Sequence, residues 1–258
     1  MTVDLNFKKM GRGRPLIVMH GLFGSLDNWM TLGKRWSEDF SIYLVDLRNH
    51  GKSPHAVSHT IQTMAEDVIS FLDQQNLENA AVLGHSMGGK VAMELALQFP
   101  ERIQSLIVAD MGRQEYARGH DQIFEALQAV DIDNAEQRSD ITDQLQQYIA
   151  EPGIIAFLAK NAVRTENGFR WRMNLDVLEA EYEGILQPTV SQRSYDKRVL
   201  VLKGEKSPYI TDESEAEFRV LFPRVEIVTI PRAGHWLHAE QPEIFYEKVR
   251  QFLLSGEV

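Results

Sequence analysis

The sequence contains no cysteine among its 258 residues. A disulfide framework, a cysteine-ligated zinc or iron–sulfur site and a cysteine nucleophile are therefore all excluded. No run of about 18 consecutive apolar residues is present, which argues against a transmembrane helix. An early acid, Asp4, and the absence of a long apolar stretch near the N-terminus argue against a secretory signal. We therefore expect a cytoplasmic protein.

Positive charge is also scarce in this chain. Lys and Arg number 27 against 37 Asp and Glu, so the formal net charge is −10. Such a balance disfavours nucleic acid or an anionic membrane surface as the main partner. The hydrophobic fraction of 43% is ordinary for a globular protein, and a chain of this length can bury a large core. We expect a small-molecule substrate as partner, and the sequence leaves the oligomeric state open.

Short runs rich in Val, Ile and Leu recur along the chain, and helical patterns lie between them. These runs span residues 15–19, 41–45, 80–83, 105–109, 198–202 and 225–230. Continuous apolarity is typical of strands that are buried on both faces, as in parallel sheets. Amphipathic spacing predicts helices at residues 60–75, 90–99 and 245–254. The alternation of strand and helix predicts an open, mostly parallel α/β sheet.

One long stretch interrupts this alternation. Residues 112–194 contain no convincing buried strand but several helical patterns, such as 121–130 and 141–150. We interpret residues 112–194, called the insertion below, as a helical lid across one end of the sheet. Residues 1–111 and 195–258 would then form the core.

A Gly-His-Ser-Met-Gly motif occupies residues 84–88, directly between a predicted strand and a predicted helix. It matches the nucleophile-elbow pattern in the structural context that this pattern requires. A serine on so sharp a turn takes a strained backbone conformation, and the flanking glycines let neighbouring chain approach closely. The turn would raise the Ser86 hydroxyl above the sheet edge and direct the Met87 N–H at a developing oxyanion. The motif predicts Ser86 as a nucleophile.

Two further loops supply partners for such a serine. Acyl transfer needs two N–H donors at one oxygen, and the loop at residues 20–24 can provide the second from Leu22. A serine hydroxyl also needs a base to take its proton. Among eight histidines, His235 alone follows the last predicted strand on a short glycine-containing loop. We therefore predict Leu22 and Met87 as oxyanion donors and His235 as the base.

The remaining histidines and glycine-rich turns give no sign of a metal or cofactor. His20 and His85 are expected to support their own loops. The other histidines considered are expected in loops or at the surface: His50, His55, His59 and His120. The segment at residues 50–53 ends like a phosphate loop but has Asp46 where a glycine is required. Residues 11–14 lack the third glycine of a dinucleotide fingerprint. We expect neither a metal nor a cofactor.

With these motifs in chain order, the sequence resembles the α/β-hydrolase superfamily over its whole length. The resemblance is carried by residues 20–28, 46–53 and 84–90, which together are similar to the YbfF-type esterases of bacteria. It implies a mostly parallel eight-stranded sheet flanked by helices, with an inserted helical lid. It also implies hydrolysis of carboxylic esters, with Ser86 as nucleophile and His235 as base. Hydrolysis of acyl-CoA thioesters is a further implied activity.

The acid of a catalytic triad is harder to assign from sequence. The superfamily usually has an aspartate on the loop after the seventh strand, where this chain has Ser207. Asp110, at the end of a preceding strand, occupies the position that some α/β hydrolases use instead, and the YbfF-type esterases resemble this chain there. Glu205 comes early on its loop, beside Lys206. We predict Asp110 as the acid and Ser207 as an auxiliary group; the alternative is that Asp110 only caps the junction with the insertion.

These observations favour a serine esterase acting on short to medium acyl chains through an acyl-enzyme on Ser86. One alternative is a ligand sensor on the same fold whose turnover is slow or absent. Another is a cofactor-free carbon–carbon hydrolase or perhydrolase, because these chemistries use the same triad. The net charge disfavours strongly anionic substrates such as CoA esters. A local patch of arginines in the insertion could override it: Arg113, Arg118, Arg164, Arg170 and Arg172.

Overall fold

Nine strands occur in the part of the chain that the computed structural model describes, residues 1–189 and 193–256. They are β1 (Phe7–Met10), β2 (Pro15–Met19), β3 (Ser41–Val45), β4 (Ala80–His85), β5 (Ile103–Ala109), β6 (Ala162–Arg164), β7 (Phe169–Trp171), β8 (Val199–Gly204) and β9 (Val225–Ile230). Seven of them form one sheet in the order β1-β3-β2-β4-β5-β8-β9. All neighbours in this sheet are parallel except β1, which is antiparallel to β3. The mostly parallel sheet predicted from the apolar runs is confirmed.

The count of eight strands is wrong for the described residues, in which the central sheet has seven. The sequence also missed β1, which pairs with β3 at the sheet edge in the register Phe7↔Val45. Its sequence is Phe-Lys-Lys-Met and its side chains are largely exposed, so it has no buried apolar run. Edge strands of natural sheets often carry lysine in this way, because charge blocks further pairing.

Helices cover both faces of the sheet. They are α1 (Met30–Trp36), α2 (Ile61–Gln74), α3 (Met87–Gln98), α4 (Asp121–Ala129), α5 (Arg138–Leu145), α6 (Pro152–Ala159), α7 (Leu175–Ala180), α8 (Tyr182–Leu186), α9 (Asp212–Leu221), α10 (Leu237–Glu240) and α11 (Pro242–Leu254), with a 3₁₀ turn at Leu26–Trp29. Successive side chains of β2 point to opposite faces. Ile17 belongs to the same buried cluster as Phe71 of α2, whereas Leu16 belongs to the cluster of Trp36 and Phe245. No helix in the described residues is long and apolar enough to span a membrane.

The insertion contains α4 to α8 and also the strands β6 and β7. These two strands form a separate antiparallel sheet in the register Val163↔Arg170, so the expectation of a segment without strands is wrong. Each strand has three residues, too few for an alternating pattern to be recognised. Gly168, in the turn between them, has φ 158°, and a Cβ there would lie 2.0 Å from Asp133 O. Residues 190–192 of the insertion lie outside the described residues.

A buried ion pair holds the loop that follows β3. Arg48 donates to Asp67 of α2 through Nε at 2.6 Å and through Nη2 at 2.7 Å. The two side chains are only 2% and 0% exposed. Asp67 also accepts the Val3 N–H at 2.8 Å, and Arg48 donates to Ser58 O at 3.2 Å. Because both charges are paired and bonded further, the loop is joined to α2 and to the N-terminal segment.

Replacing Asp67 by Asn should therefore destabilise the fold strongly. The change leaves the Arg48 charge buried without its counter-ion, and such a loss typically costs about 3–5 kcal/mol. Asp73→Asn is the matched control on the same helix, since Asp73 pairs with Arg102 while its side chain is 63% exposed. Exposed pairs contribute roughly 0–1 kcal/mol. Urea unfolding followed by circular dichroism measures both values, and similar losses in the two variants would contradict the argument.

Candidate active site

Ser86 occupies a strained turn between β4 and α3. Its backbone has φ 55° and ψ −122°, which few non-glycine residues adopt. The turn is possible because two glycines let the chain pass itself closely. A Cβ on Gly84 would lie 1.9 Å from Gly88 O, and one on Gly88 would lie 2.6 Å from His20 O. The Ser86 N–H donates to Ala109 O at 3.1 Å, which joins the turn to the end of β5.

His235 lies between Ser86 and Asp110. Its Nε2 is 3.0 Å from Ser86 Oγ, and its Nδ1 is 2.7 Å from Asp110 Oδ2. The ring of Tyr209 stacks on the imidazole, with centroids 4.1 Å apart and an interplanar angle of 20°. His85 Nε2 donates to the His235 carbonyl at 2.9 Å. The imidazole is therefore oriented by hydrogen bonds at both ring nitrogens and by Tyr209 on one face, and the His235 backbone is held by His85.

Asp110 follows β5 directly and is completely buried. Its Oδ1 accepts the Gly204 N–H at 2.9 Å, and its Oδ2 accepts the Ser207 hydroxyl in addition to the His235 contact. The backbone of Asp110 has φ 53°, and its N–H donates to Leu202 O at 2.8 Å. Three donors thus converge on one carboxylate, which satisfies it without solvent.

Two other carboxylates of the region after β8, those of Glu205 and Asp212, make no hydrogen bond to His235 within the described residues. Glu205 accepts the Arg232 N–H at 2.6 Å. Asp212 is the exposed first residue of α9. Ser207 contacts the carboxylate of Asp110, and its Oγ also accepts the Tyr209 N–H at 3.3 Å. The geometry therefore brings Asp110 and Ser207 together at His235.

The backbone N–H groups of Leu22 and Met87 have no hydrogen-bond partner within the described residues. Both residues line a cavity together with Ser86. A Cβ on Gly21 would lie 3.0 Å from Ser86 Cβ, so the loop that carries Leu22 passes close to the serine. The two N–H groups therefore belong to two segments that both lie close to Ser86, and an oxyanion hole would need two such donors.

Phe23, next to Leu22, is held on both of its backbone groups. It has φ 60°, an uncommon conformation for a non-glycine residue. Its N–H donates to His50 Nε2 at 3.1 Å, and its carbonyl accepts Asn161 Nδ2 at 2.8 Å. Asn161 lies in the insertion and is buried. A side chain of the insertion therefore takes part in fixing the loop that carries the Leu22 N–H.

Three of the other histidines, His20, His50 and His59, are buried inside the protein. His20 accepts the Leu47 N–H at 3.0 Å and donates to Gly21 O, as expected of a residue that supports its own loop. His50 and His59 do lie in loops, but their rings are fully buried, so a surface position is wrong for them. Burial lowers the pKa of His20 and His50, which keeps each ring neutral and able to accept a hydrogen bond. Sequence reasoning missed this because the surrounding residues are polar.

Two cavities meet at Ser86. The smaller, of about 310 Å³, is lined mainly by apolar and aromatic side chains: Leu22, Met87, Met111, Tyr116, Tyr182, Ile185, Leu186, Pro208 and Tyr209. The larger, of about 600 Å³, extends past Phe157 and Trp236, whose ring centroids are 6.1 Å apart. Its charged lining residues are Asp27, Lys160 and Glu240. Of the described residues, those common to both cavities are Leu22, Ser86 and His120.

Lys90 closes the wall of the smaller cavity from α3. Its side chain is buried, and Nζ donates to the carbonyls of Ile185, Leu186 and Gln187 at 3.2, 2.8 and 2.6 Å. These carbonyls end α8, where a cation complements the unpaired carbonyl oxygens. Burial lowers the pKa of Lys90 to about 7. The sequence holds one clue to this role, since Lys90 interrupts the otherwise apolar start of a buried helix.

The five arginines of the insertion do not form a basic patch at these cavities. None of them lines either cavity. Arg118 pairs with Asp121 and Glu183 within the insertion, and Arg172 contacts Asp27 at 3.3 Å. Arg118 therefore stabilises the insertion, and Arg172 stabilises its contact with the core.

The chain matches the family described as alpha/beta hydrolase fold over residues 14–242. The chain belongs to the α/β-hydrolase family. It is 36% identical to the esterase YbfF of Escherichia coli (strain K12) over 240 residues, 93% of this chain and 92% of the relative. It is also 36% identical to the sn-1-specific diacylglycerol lipase ABHD11 of Mus musculus over 246 residues, 92% and 80% of the two chains.

A solved structure of a marine microorganism esterase is 41% identical and has a TM-score of 0.95. The match covers 97% of this chain and all of the other. The predicted α/β-hydrolase fold and the resemblance to YbfF-type esterases are both confirmed. The names of these relatives support a hydrolase that acts on esters.

Replacing Asn161 by Ala should lower kcat and leave KM nearly unchanged. The change removes the hydrogen bond to the Phe23 carbonyl and loosens the loop that carries the Leu22 N–H. We expect a loss of about tenfold in kcat, less than the roughly 10²–10³-fold lost when an oxyanion donor is removed outright. Steady-state kinetics on a p-nitrophenyl ester measure the effect.

Asn174→Ala is the matched control for this experiment. Asn174 also joins the insertion to the core, through Nδ2 to Asn49 Oδ1 at 3.1 Å, but it does not contact the loop of Leu22. Its kcat should stay within about twofold of the wild type. If kcat fell equally in both variants, any weakened contact of the insertion would have this effect, and the specific role of Asn161 in fixing the loop of Leu22 would be contradicted.

Proposed function

We propose that this protein is a serine esterase in which Ser86 attacks the carbonyl carbon of a carboxylic ester. The observation that carries the proposal is the continuous contact from Ser86 Oγ to His235 Nε2, at 3.0 Å, and from His235 Nδ1 to Asp110, at 2.7 Å. A nucleophile, a base and an orienting carboxylate in this order are the requirement for activating a serine hydroxyl.

In the first half-reaction, His235 takes the Ser86 proton as Oγ bonds to the carbonyl carbon. The N–H groups of Leu22 and Met87 stabilise the oxyanion, and Asp110 stabilises the imidazolium. The imidazolium then gives its proton to the departing alkoxide, which leaves an acyl-enzyme. In the second half-reaction, His235 takes a proton from water, the hydroxide attacks the acyl carbon, and Ser86 recovers its proton as the acid leaves. These steps use neither a metal nor a cofactor.

Ser207 serves the acid rather than the base. Its hydroxyl donates to Asp110 Oδ2, the same oxygen that contacts His235. A neutral hydrogen bond of this kind helps to fix the carboxylate but does not replace its charge. Ser207 is therefore an auxiliary group, and Asp110 is the acid of the triad.

The two parts of the ester bind in different cavities. The acyl chain occupies the smaller, apolar cavity, and the alcohol occupies the larger one. Tyr116, Ile185 and Leu186 bring the insertion into the wall of the smaller cavity, so residues 112–194 act as a lid that limits acyl length to short and medium chains. The larger cavity has two acids, Asp27 and Glu240, against the single Lys160. No arginine lines this cavity, and Arg172, which contacts Asp27 of the lining, is paired with that acid; this favours oxygen esters over polyanionic acyl-CoA thioesters.

Hydrolysis of acylglycerols is the second candidate function. It is suggested by the name of the mouse relative, a diacylglycerol lipase, and by the volume of the larger cavity, which has room for a glyceryl group. A slow ligand sensor would not require an aligned triad, so the geometry favours an enzyme. Carbon–carbon hydrolysis and perhydrolysis would use the same residues, and turnover measured on different substrates distinguishes these activities from ester hydrolysis. The cytoplasmic location expected from the sequence stays a prediction.

Variants of three site residues test the mechanism. Ser86→Ala should lower turnover by about 10⁴–10⁶-fold, and Asp110→Asn by up to about 10⁴-fold. Ser207→Ala should lower it by only about two- to tenfold, the equivalent of a neutral hydrogen bond. Turnover of p-nitrophenyl butyrate measures all three. A fluorophosphonate should label the wild-type chain at Ser86, as located by mass spectrometry of its peptides.

Glu205→Gln is the control for Asp110→Asn, because it neutralises a nearby carboxylate that does not contact His235. It should keep wild-type turnover. An inactive Glu205→Gln beside an active Asp110→Asn would reassign the acid. More than a few per cent of activity in Ser86→Ala, or an adduct on another residue, would remove the nucleophile assignment.

A second set of variants tests how the cavities divide the substrate. Among p-nitrophenyl esters of increasing acyl length, kcat/KM should rise to a medium chain and then fall. Ile185→Phe narrows the smaller cavity and should shift this optimum to shorter chains. Ala156→Phe narrows the larger cavity and should leave the optimum in place while raising KM for esters of bulky alcohols. Acyl-CoA of the same acyl length should be hydrolysed at least about tenfold less efficiently. If Ala156→Phe shifted the acyl-length optimum and Ile185→Phe instead raised KM for esters of bulky alcohols, the assignment of the two cavities would be reversed.

A further inference from the structure

His120 is a residue at the centre of the site to which the triad mechanism gives no role. It precedes α4 in the insertion, and it lines both cavities, as do Ser86 and Leu22. Its ring contacts Phe23 and Tyr182, with centroids 6.1 and 5.6 Å away. It lies in a loop, as expected from the sequence, but that loop is half-buried and lines the same cavities as Ser86. What it can do there depends on where its proton lies.

The hydrogen bonds of Tyr182 determine that position. The Tyr182 hydroxyl oxygen accepts the Gly119 N–H at 3.3 Å and lies 2.6 Å from His120 Nδ1. Within the described residues, Nδ1 is the one acceptor available to the Tyr182 proton. Burial raises the pKa of Tyr182, so the hydroxyl keeps this proton to donate. A neutral imidazole that accepts at Nδ1 carries its own proton on Nε2.

The ring of His120 stays neutral over the ordinary pH range. Burial, and next the charge on His235, lower the pKa of His120 to about 4. Its Nε2 has no hydrogen-bond partner within the described residues. His120 thus presents a fixed, uncharged N–H donor at the boundary between the two cavities.

We propose that His120 is a substrate-binding residue whose Nε2–H donates a hydrogen bond to the alkoxy oxygen of the bound ester. This inference rests on the proposed function, in which the acyl chain and the alcohol occupy different cavities. The alkoxy oxygen joins these two parts, so it lies at the boundary where His120 is found. His120 transfers no proton in this arrangement, and His235 still protonates the leaving alkoxide.

This contact distinguishes oxygen esters from thioesters. A thioester has sulfur in place of the alkoxy oxygen, and sulfur is a weak hydrogen-bond acceptor. The His120 N–H therefore contributes to binding and turnover of an ester more than to those of the thioester with the same acyl and alkyl groups. The residue acts as a determinant of ester specificity.

The test compares ethyl butanoate with S-ethyl butanethioate in three variants and the wild type. His120→Phe keeps an aromatic ring against Phe23 and Tyr182 but has no N–H. It should lower kcat/KM for the ester by about two- to tenfold and change that for the thioester by less than about twofold. His120→Gln has an amide donor near the Nε2 position and should recover part of the ester activity.

Arg118→Gln is the control for the stability of the insertion. Arg118 lies over the Tyr182 ring, 4.9 Å from its centroid, and pairs with Asp121 and Glu183 outside the cavities. Its removal should leave the ratio of ester to thioester activity unchanged. Thermal unfolding of each variant shows whether the fold is kept, and the ratio within one variant is independent of its folded fraction.

An equal loss of both activities in His120→Phe, or a ratio unchanged in both His120 variants, would overturn the inference and leave the proposed function intact. A wild-type protein that hydrolyses neither compound, or a Ser86→Ala protein as active as the wild type, would instead overturn the proposed function. The two failures are therefore distinct.

Discussion

The hydrogen bond from His235 to Asp110 depends on the arrangement of three neighbouring strands of the central sheet, β5, β8 and β9. It joins residues 125 positions apart, one directly after β5 and one on the loop after β9. The distance of 2.7 Å is possible because β8 lies between these strands and its last residue, Gly204, binds the other oxygen of the carboxylate. A buried carboxylate without these donors would be strongly destabilising. The order of the strands and the chemistry proposed for Ser86 are therefore linked through one side chain.

The insertion does more than cover the cavities. Asn161 holds the carbonyl of Phe23, and the three carbonyls at the end of α8 hold Lys90, one turn beyond Ser86 on α3. His120 lines both of the cavities that Ser86 lines. Each contact joins the insertion to a segment adjacent to the Ser86 hydroxyl. Because Asn161 and Lys90 are buried hydrogen-bonding groups, a displaced insertion would leave unpaired polar atoms on both sides of these two contacts.

Much of the core and of the candidate triad could be predicted from sequence because the signals are local. Continuous apolar runs marked six of the seven strands in the central sheet, and a five-residue motif between strand and helix marked Ser86. His235 was predicted from its short glycine-containing loop after the last strand, and Asp110 from its place at the end of a strand together with the resemblance to other α/β hydrolases. The edge strand β1 and the β6–β7 hairpin gave no such signal, since one is polar and the other has strands of three residues.

What the sequence by itself determined is thus the order of the strands along the chain and the residue types at their ends, because these depend on neighbouring residues. Only the tertiary structure decided which side chains meet. The pairing of Asn161 with Phe23 spans 138 positions, that of Lys90 with Leu186 spans 96, and that of His120 with Tyr182 spans 62. A polar residue carries no local mark of a partner so far along the chain. Burial and hydrogen bonding, which assign these residues their roles, exist only once the insertion has packed on the core.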